Sequence, residues 1–280
     1  MRQYVKTSTP PGLSRSLSSS HLSLMARASQ PQTIASDLCL RVNQLIARSD
    51  RYLGRDNFEA RLLLRDCEKL QQANTFDGTI ARIYMAEAYG DAEEARRCAS
   101  QARAAAPGLA SEADFQLAQS LVGLGYFSEA QAIYARVATP ELGQLTNRLN
   151  LGMVSGSIEQ VFRFLEQARS MNIELDEDSV MSASGAYAVY QKTSTTDSQA
   201  GELLDLAGEV LRAHRLFPLN GSPKVSAIDH RELRTLLMEL MVRAPAEEVG
   251  AMNFELADLV ARRLEVVPAG IAVVFSGAAS

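Results

Sequence analysis

Apolar residues along this chain recur with the three-and-four spacing of an amphipathic helix, not with the two-residue alternation of a strand. Before Gly125 the positions Leu117, Ala118, Leu121 and Val122 share one side; after it Ala130, Ile133, Tyr134 and Val137 do the same. A turn motif punctuates the pattern four times: a glycine, a capping residue, an acid or amide, then an apolar helix. It reads GRDNFEA at 54–60, GDAEEA at 90–95, GYFSEA at 125–130 and GSIEQV at 156–161. The glycines Gly54, Gly90, Gly125 and Gly156 lie 36, 35 and 31 residues apart. A period of that size predicts stacked helical hairpins over 37–175.

Each part of the unit has a physical task. The glycine ends one helix in the left-handed conformation that a side chain resists. Asp56, Asp91 and Ser157 are the expected N-caps of the helices that follow. Glu59, Glu94 and Gln160 sit three residues on, where each can complete a capping box. Tyr126 occupies the cap position of the third unit, so that helix is expected to be less well capped. Ala95, Ala99 and Ala102 form a stripe that lets two helices approach closely, and Pro107 stops the second helix of its pair.

A hairpin of about 34 residues with this glycine, alanine and terminal proline resembles the tetratricopeptide repeat. Gly90, Ala95, Ala102 and Pro107 carry the likeness in 76–109, and Leu117, Ala118, Leu121, Gly125, Ala130 and Tyr134 carry it in 111–140. The resemblance covers roughly half the chain and implies an all-α fold, a right-handed superhelix of antiparallel helix pairs. It also implies a concave groove, lined by the first helix of each pair, that holds a peptide or another protein. Counting back ten and six residues from each glycine gives Gln44 and Arg48, Ile80 and Tyr84, Phe115 and Gln119, and Thr146 and Asn150, with Arg51 and Asn147 nearby. The partner-binding set is therefore Gln44, Arg48, Tyr84, Phe115, Gln119, Asn147 and Asn150. Amides and an arginine suit an extended backbone, and Tyr84 and Phe115 offer apolar anchors. The Lys/Asn/Lys/Arg constellation with which chaperone cofactors of this family clamp a C-terminal carboxylate is absent. The 31-residue spacing and the segment ARSMNIELDEDSVMSASGAYA are also similar to the pentatricopeptide type, which binds RNA.

Beyond 175 the apolar spacing predicts helices at 178–191, 198–214, 229–243 and 246–265. Asp229 and Glu232 form a capping box ahead of Leu233, Leu236, Leu237 and Leu240. FPLNGSP breaks the chain before it. Residues 176–267 therefore read as one irregular repeat plus capping helices, and 268–280 as an apolar tail. That tail, with its β-favouring run at 271–275, either straps over the last helices or docks on a partner by strand addition.

Residues 1–36 are of a different composition. They hold no Asp or Glu, nine serines, three prolines, and Arg2, Lys6, Arg15 and Arg27. Such a segment is expected to be disordered. A transit peptide, a bacterial secretion signal, an extension ahead of a start at Met25 and an untargeted tail all fit it.

The whole chain of 280 residues has 28 basic and 33 acidic side chains, a net charge of −5, which is a poor footprint for nucleic acid. Aromatics are 6% with no Trp, consistent with a helical core of Leu, Ala, Val and Ile. No stretch approaches the roughly 18 apolar residues of a membrane span. Cys39, Cys67 and Cys98 lack close pairing, which points to a reducing, cytoplasmic setting, with Cys67 and Cys98 as small core residues. His21, His214 and His230 form no HExxH, and neither a phosphate loop nor a serine elbow occurs. The expectation is a non-enzymatic scaffold or chaperone-like assembly factor, needing no cofactor or metal, whose partner is a protein or peptide. A link to bacterial secretion is kept for the Ser-rich start. The alternatives are an RNA-binding helical repeat and an enzyme with a polar pocket around His214 or His230.

Overall fold

The three-and-four spacing folds into helices that pack on their chain neighbours. A computed structural model of the protein describes residues 34–139, 144–230 and 233–278. The expectation of disorder over 1–36 falls outside the described residues except for 34–36, which open the first helix. Four hairpins follow in order: α1 (Ile34–Arg48) with α2 (Phe58–Ala73), α3 (Thr75–Ala88) with α4 (Ala92–Ala105), α5 (Ala110–Gly123) with α6 (Phe127–Val137), and α7 (Leu145–Ser155) with α8 (Ile158–Ser170). A ninth helix, α9 (Glu177–Thr193), packs on α8. The first helices α1, α3, α5, α7 and α9 also pack on one another in sequence. Ala95, Ala99 and Ala102, the alanine stripe, are all fully buried on α4.

Gly90, Gly125 and Gly156 end the first helices with φ between 72° and 77°, as their positions predict. Asp91 caps α4, accepting from the Glu94 amide at 3.0 Å. The other expected caps differ. Helix α1 stops at Arg48, well before Gly54, and α2 is capped by Asn57 instead of Asp56. Ser157 makes no cap bond; its hydroxyl pairs with Ser155 at 2.9 Å.

The missing caps come from a distant helix. α10 (Asp197–His214) does not form a hairpin with α9 but packs on α6 and α8, running back along the turns. Its Asp197 accepts from the amides of Glu159 (2.9 Å) and Gln160 (3.1 Å) in the first turn of α8. Two turns on, Asp205 accepts from Phe127 (2.7 Å) and Ser128 (3.1 Å), so the helix behind Tyr126 is capped in trans. Farther along, Arg212 donates to the Gly125 carbonyl and lies 4.0 Å from the Tyr126 ring centroid. The approach needs glycine: a Cβ on Gly208 would fall 1.8 Å from the Gly125 carbonyl oxygen. α10 ends beside the connection between α1 and α2, where the Tyr52 amide donates to the Arg215 carbonyl at 2.8 Å.

The C-terminal part is not all helical. The helix expected at 229–243 is an antiparallel pair, β1 (Lys224–His230) and β2 (Leu233–Val242). A crossover helix, α11 (Ala246–Arg263), then leads to β3 (Ile271–Gly277), which lies parallel to β2 with Leu240 opposite Phe275. The order is β1-β2-β3. The leucines at 233, 236, 237 and 240 fit a helical face, but Leu236, Met238, Leu240 and Val242 are the ones buried, which is a period of two. The expected apolar tail is thus a paired strand. Asn253 of α11 bonds both the amide and the carbonyl of Phe275 at 2.9 Å, as a neighbouring strand would. β2 touches α9, and just past the end of β2 Arg243 donates to the Ala47 carbonyl at the end of α1. Its buried residues join those of α5 to α10 in one core, and residues 34–280 form a single compact unit.

Two substitutions test this packing by chemical denaturation. Asp205→Ala removes the acceptor of two first-turn amides and is expected to cost about 1–2 kcal/mol. Ala95→Phe overfills a site with no free space and is expected to cost on the order of 1–3 kcal/mol. Unchanged midpoints would contradict both contacts.

Candidate functional site

The first helices carry a row of polar side chains that crosses from one hairpin to the next. Glu112, Gln116 and Gln119 fall at i, i+4 and i+7 on α5 and so share one stripe. Tyr84 of α3 is half-buried, and its hydroxyl donates to Gln116 Oε1. Gln116 Nε2 donates to Glu112 Oε1 at 2.7 Å, and Gln144, at the start of α7, donates to Glu112 Oε2 at 3.3 Å. One bonded chain therefore links three consecutive hairpins. Burial pushes the Tyr84 hydroxyl well above the ordinary tyrosine range, so it stays a donor. Gln119 is half-buried, Asn147 and Asn150 of α7 are exposed one turn apart, and none of the three bonds through its side chain to a described residue.

The other expected groove residues sit elsewhere. Phe115 is 1% exposed and packs inside the core, with the buried Arg148 guanidinium 4.9 Å from its ring centroid. It cannot serve as a surface anchor, because the step of ten residues from Gly125 lands one position past the exposed stripe, on its buried neighbour. Gln116 and Glu112 escaped that count, although their spacing with Gln119 was readable. Gln44 and Arg48 are exposed, but Arg48 is turned toward α2, bonding Glu59 at 2.7 Å as well as the Gln44 carbonyl.

Other groups with chemical potential are engaged in structure. Cys67 and Cys98 are fully buried, and burial pushes each thiol up to about 12. His214 ends α10; His230 lies in β1 and not at a helix start. A shallow cleft of about 210 Å³ between α10 and α11 is lined by Glu209, Glu255, Asp258 and Arg262 beside Val210 and Leu259. Its carboxylates are paired: Glu209 with Arg263, Asp258 with Arg262, Glu255 with His214. Among the described residues no group of three or more His, Cys, Asp or Glu is placed to hold a metal ion. None of the described helices is long and apolar enough to cross a membrane.

Glu87, on α3, is the unusual carboxyl. It is 7% exposed, and its Oε1 fills the space a Cβ on Gly123 would take. The buried Ser120 hydroxyl stands nearby and partly opposes the effect of burial on this carboxyl. Burial pushes the Glu87 carboxyl up to about 7.

Comparison of the chain with protein-family models, with curated proteins and with solved structures gives no match.

The raised Glu87 value has a testable sign. The folded protein holds this proton more tightly than the unfolded chain, so the contribution of Glu87 is most favourable below its ordinary 4.5 and declines as pH rises through about 7. Glu87→Gln, which mimics the protonated form, is expected to flatten that slope and to stabilise the protein at pH 8 by on the order of 2 kcal/mol. Denaturation midpoints across this range check it; an unchanged slope would contradict it.

Proposed function

We propose that the chain is a non-enzymatic, tetratricopeptide-like helical repeat that binds another protein or a peptide along the face of its first helices. On this reading the hairpins form a right-handed superhelix, and the protein serves as a cytoplasmic scaffold or chaperone-like assembly factor. The observation that carries the reading is the row running from Tyr84 through Gln116 and Glu112 to Gln144. It spans three hairpins, and beside it stand the side-chain amides of Gln119, Asn147 and Asn150. Amides both donate and accept, so a row of them can match the alternating N–H and C=O groups of an extended backbone without requiring a particular sequence. Tyr84 supplies the apolar surface beside them.

The Ser-rich, acid-free N-terminal segment keeps a role linked to bacterial protein secretion within this proposal. The net acidity of the chain favours a protein or peptide over RNA, since RNA binding draws on a basic surface.

The test pairs recovery with stability. Epitope-tagged protein recovered from native cells should bring down one partner in fixed proportion. The double substitution Gln119→Ala with Asn150→Ala should reduce that recovery about tenfold, in line with the loss of roughly 1 kcal/mol or more from hydrogen bonds across an interface. Its melting curve should match that of the parent. Recovery unaffected by the double substitution would contradict binding at this face.

A further inference from the structure

We propose that His214 is a protonation-dependent clasp that fastens α11 to the end of α10 and loosens as pH rises. His214 is the last residue of α10, and both its ring nitrogens face carboxylates of α11. Nδ1 lies 3.0 Å from Glu248 Oε1, and Nε2 lies 3.1 Å from Glu255 Oε2. An ionised carboxylate only accepts hydrogen bonds, so both contacts are bonds only when both nitrogens carry protons. The geometry is therefore that of an imidazolium.

The surroundings favour the charge. Arg51, from the connection between α1 and α2, places Nη2 2.9 and 2.7 Å from the two Glu248 oxygens and donates to the His214 carbonyl at 2.6 Å. It thereby keeps Glu248 ionised. Three separated pieces of chain meet at this point: residue 51, the end of α10 and the first turn of α11. The charged groups facing the ring are Glu248 and Glu255 from α11 and Arg51 from the connection; Arg215 follows on its own chain. Farther along the same seam, Arg263 engages Glu209 and Arg262 engages Asp258, so those carboxylates already have cationic partners. The helix C-terminus also suits a cation. Burial opposes protonation of His214, but the two carboxylates outweigh it and hold the imidazole above its ordinary 6.5.

The sign follows from the raised value. The stabilisation is fully present below the unfolded value of 6.5 and is lost as pH rises through the folded one. Above that point the neutral ring keeps one N–H, and its bare nitrogen lone pair faces a carboxylate oxygen. One of the two links to α11 then becomes repulsive. The helix that leads to β3 keeps Arg51, Asn253 and the Arg263–Glu209 pair as anchors, but its tie to the end of α10 weakens.

Two measurements on the full chain test the clasp. In proton–nitrogen correlation spectra the His214 ring should titrate above 6.5, and Glu255→Gln should move its midpoint downward. Hydrogen exchange of the α11 amides, corrected for intrinsic rates, should show protection falling several-fold between about pH 6 and about pH 9. In His214→Gln that protection should not vary with pH. A midpoint at or below 6.5, or α11 protection that varies equally in parent and variant, would overturn the proposal. If His214→Gln fails to fold, the ring titration in the parent and in Glu255→Gln decides the matter.

Discussion

One long helix, α10, ties the third and fourth hairpins together from outside their own packing. Stacked hairpins contact only their neighbours, so their spacing is set by side-chain packing alone unless an added constraint bridges them. α10 adds that constraint by placing Asp197 at the start of α8, Asp205 at the start of α6 and Arg212 at the end of α5. Each contact joins a charge to the helix end of opposite partial charge, where backbone groups lack partners of their own. The eight-residue step between the two aspartates is about 12 Å along a helix. The distance between the helix starts of adjacent hairpins is thereby matched to a fixed separation on α10. The sheet adds further ties, since β2 meets α9 and Arg243, just beyond its end, holds the end of α1.

The parts of this arrangement that depend on neighbours in sequence were readable from it. Gly90, Gly125 and Gly156, the cap at Asp91 and the alanine stripe each act within a few residues, so their spacing carries their meaning. The parts that depend on distant partners were not readable in the same way. Ser157 sits in a good capping position, yet Asp197 reaches the α8 amides first, from 38 residues away. Tyr126 looks like a poor cap because the cap is Asp205, 77 residues beyond Ser128. β2 was read as a helix because its leucines fit a helical face, and only burial of Leu236, Met238, Leu240 and Val242 shows that a period of two applies. At the site, Gln119, Asn147 and Asn150 fell at accessible positions. Phe115 did not, because a helix turns about 100° per residue and a one-residue error exchanges the stripe for the core.

The buried carboxyl of Glu87 and the buried thiols of Cys67 and Cys98 face the interior, and Glu209 and Asp258 of the α10–α11 cleft are paired with arginines. The side chains that cross from hairpin to hairpin are a tyrosine, two amides and a carboxylate. In the proposed function, α10 and the sheet keep the first helices at fixed spacing, so that the row from Tyr84 to Gln144 meets a partner already ordered. Such preorganisation lowers the entropy lost on binding.

Native-state hydrogen exchange at four amides addresses the role of α10 most directly. First-turn amides of a helix ordinarily exchange fast, because no residue of their own helix accepts from them. With Asp197 and Asp205 as acceptors, the amides of Phe127, Ser128, Glu159 and Gln160 are predicted to exchange as slowly as the core of α10 and in step with it. Fast exchange at these four positions while α10 stays protected would show that the hairpins hold their order without it.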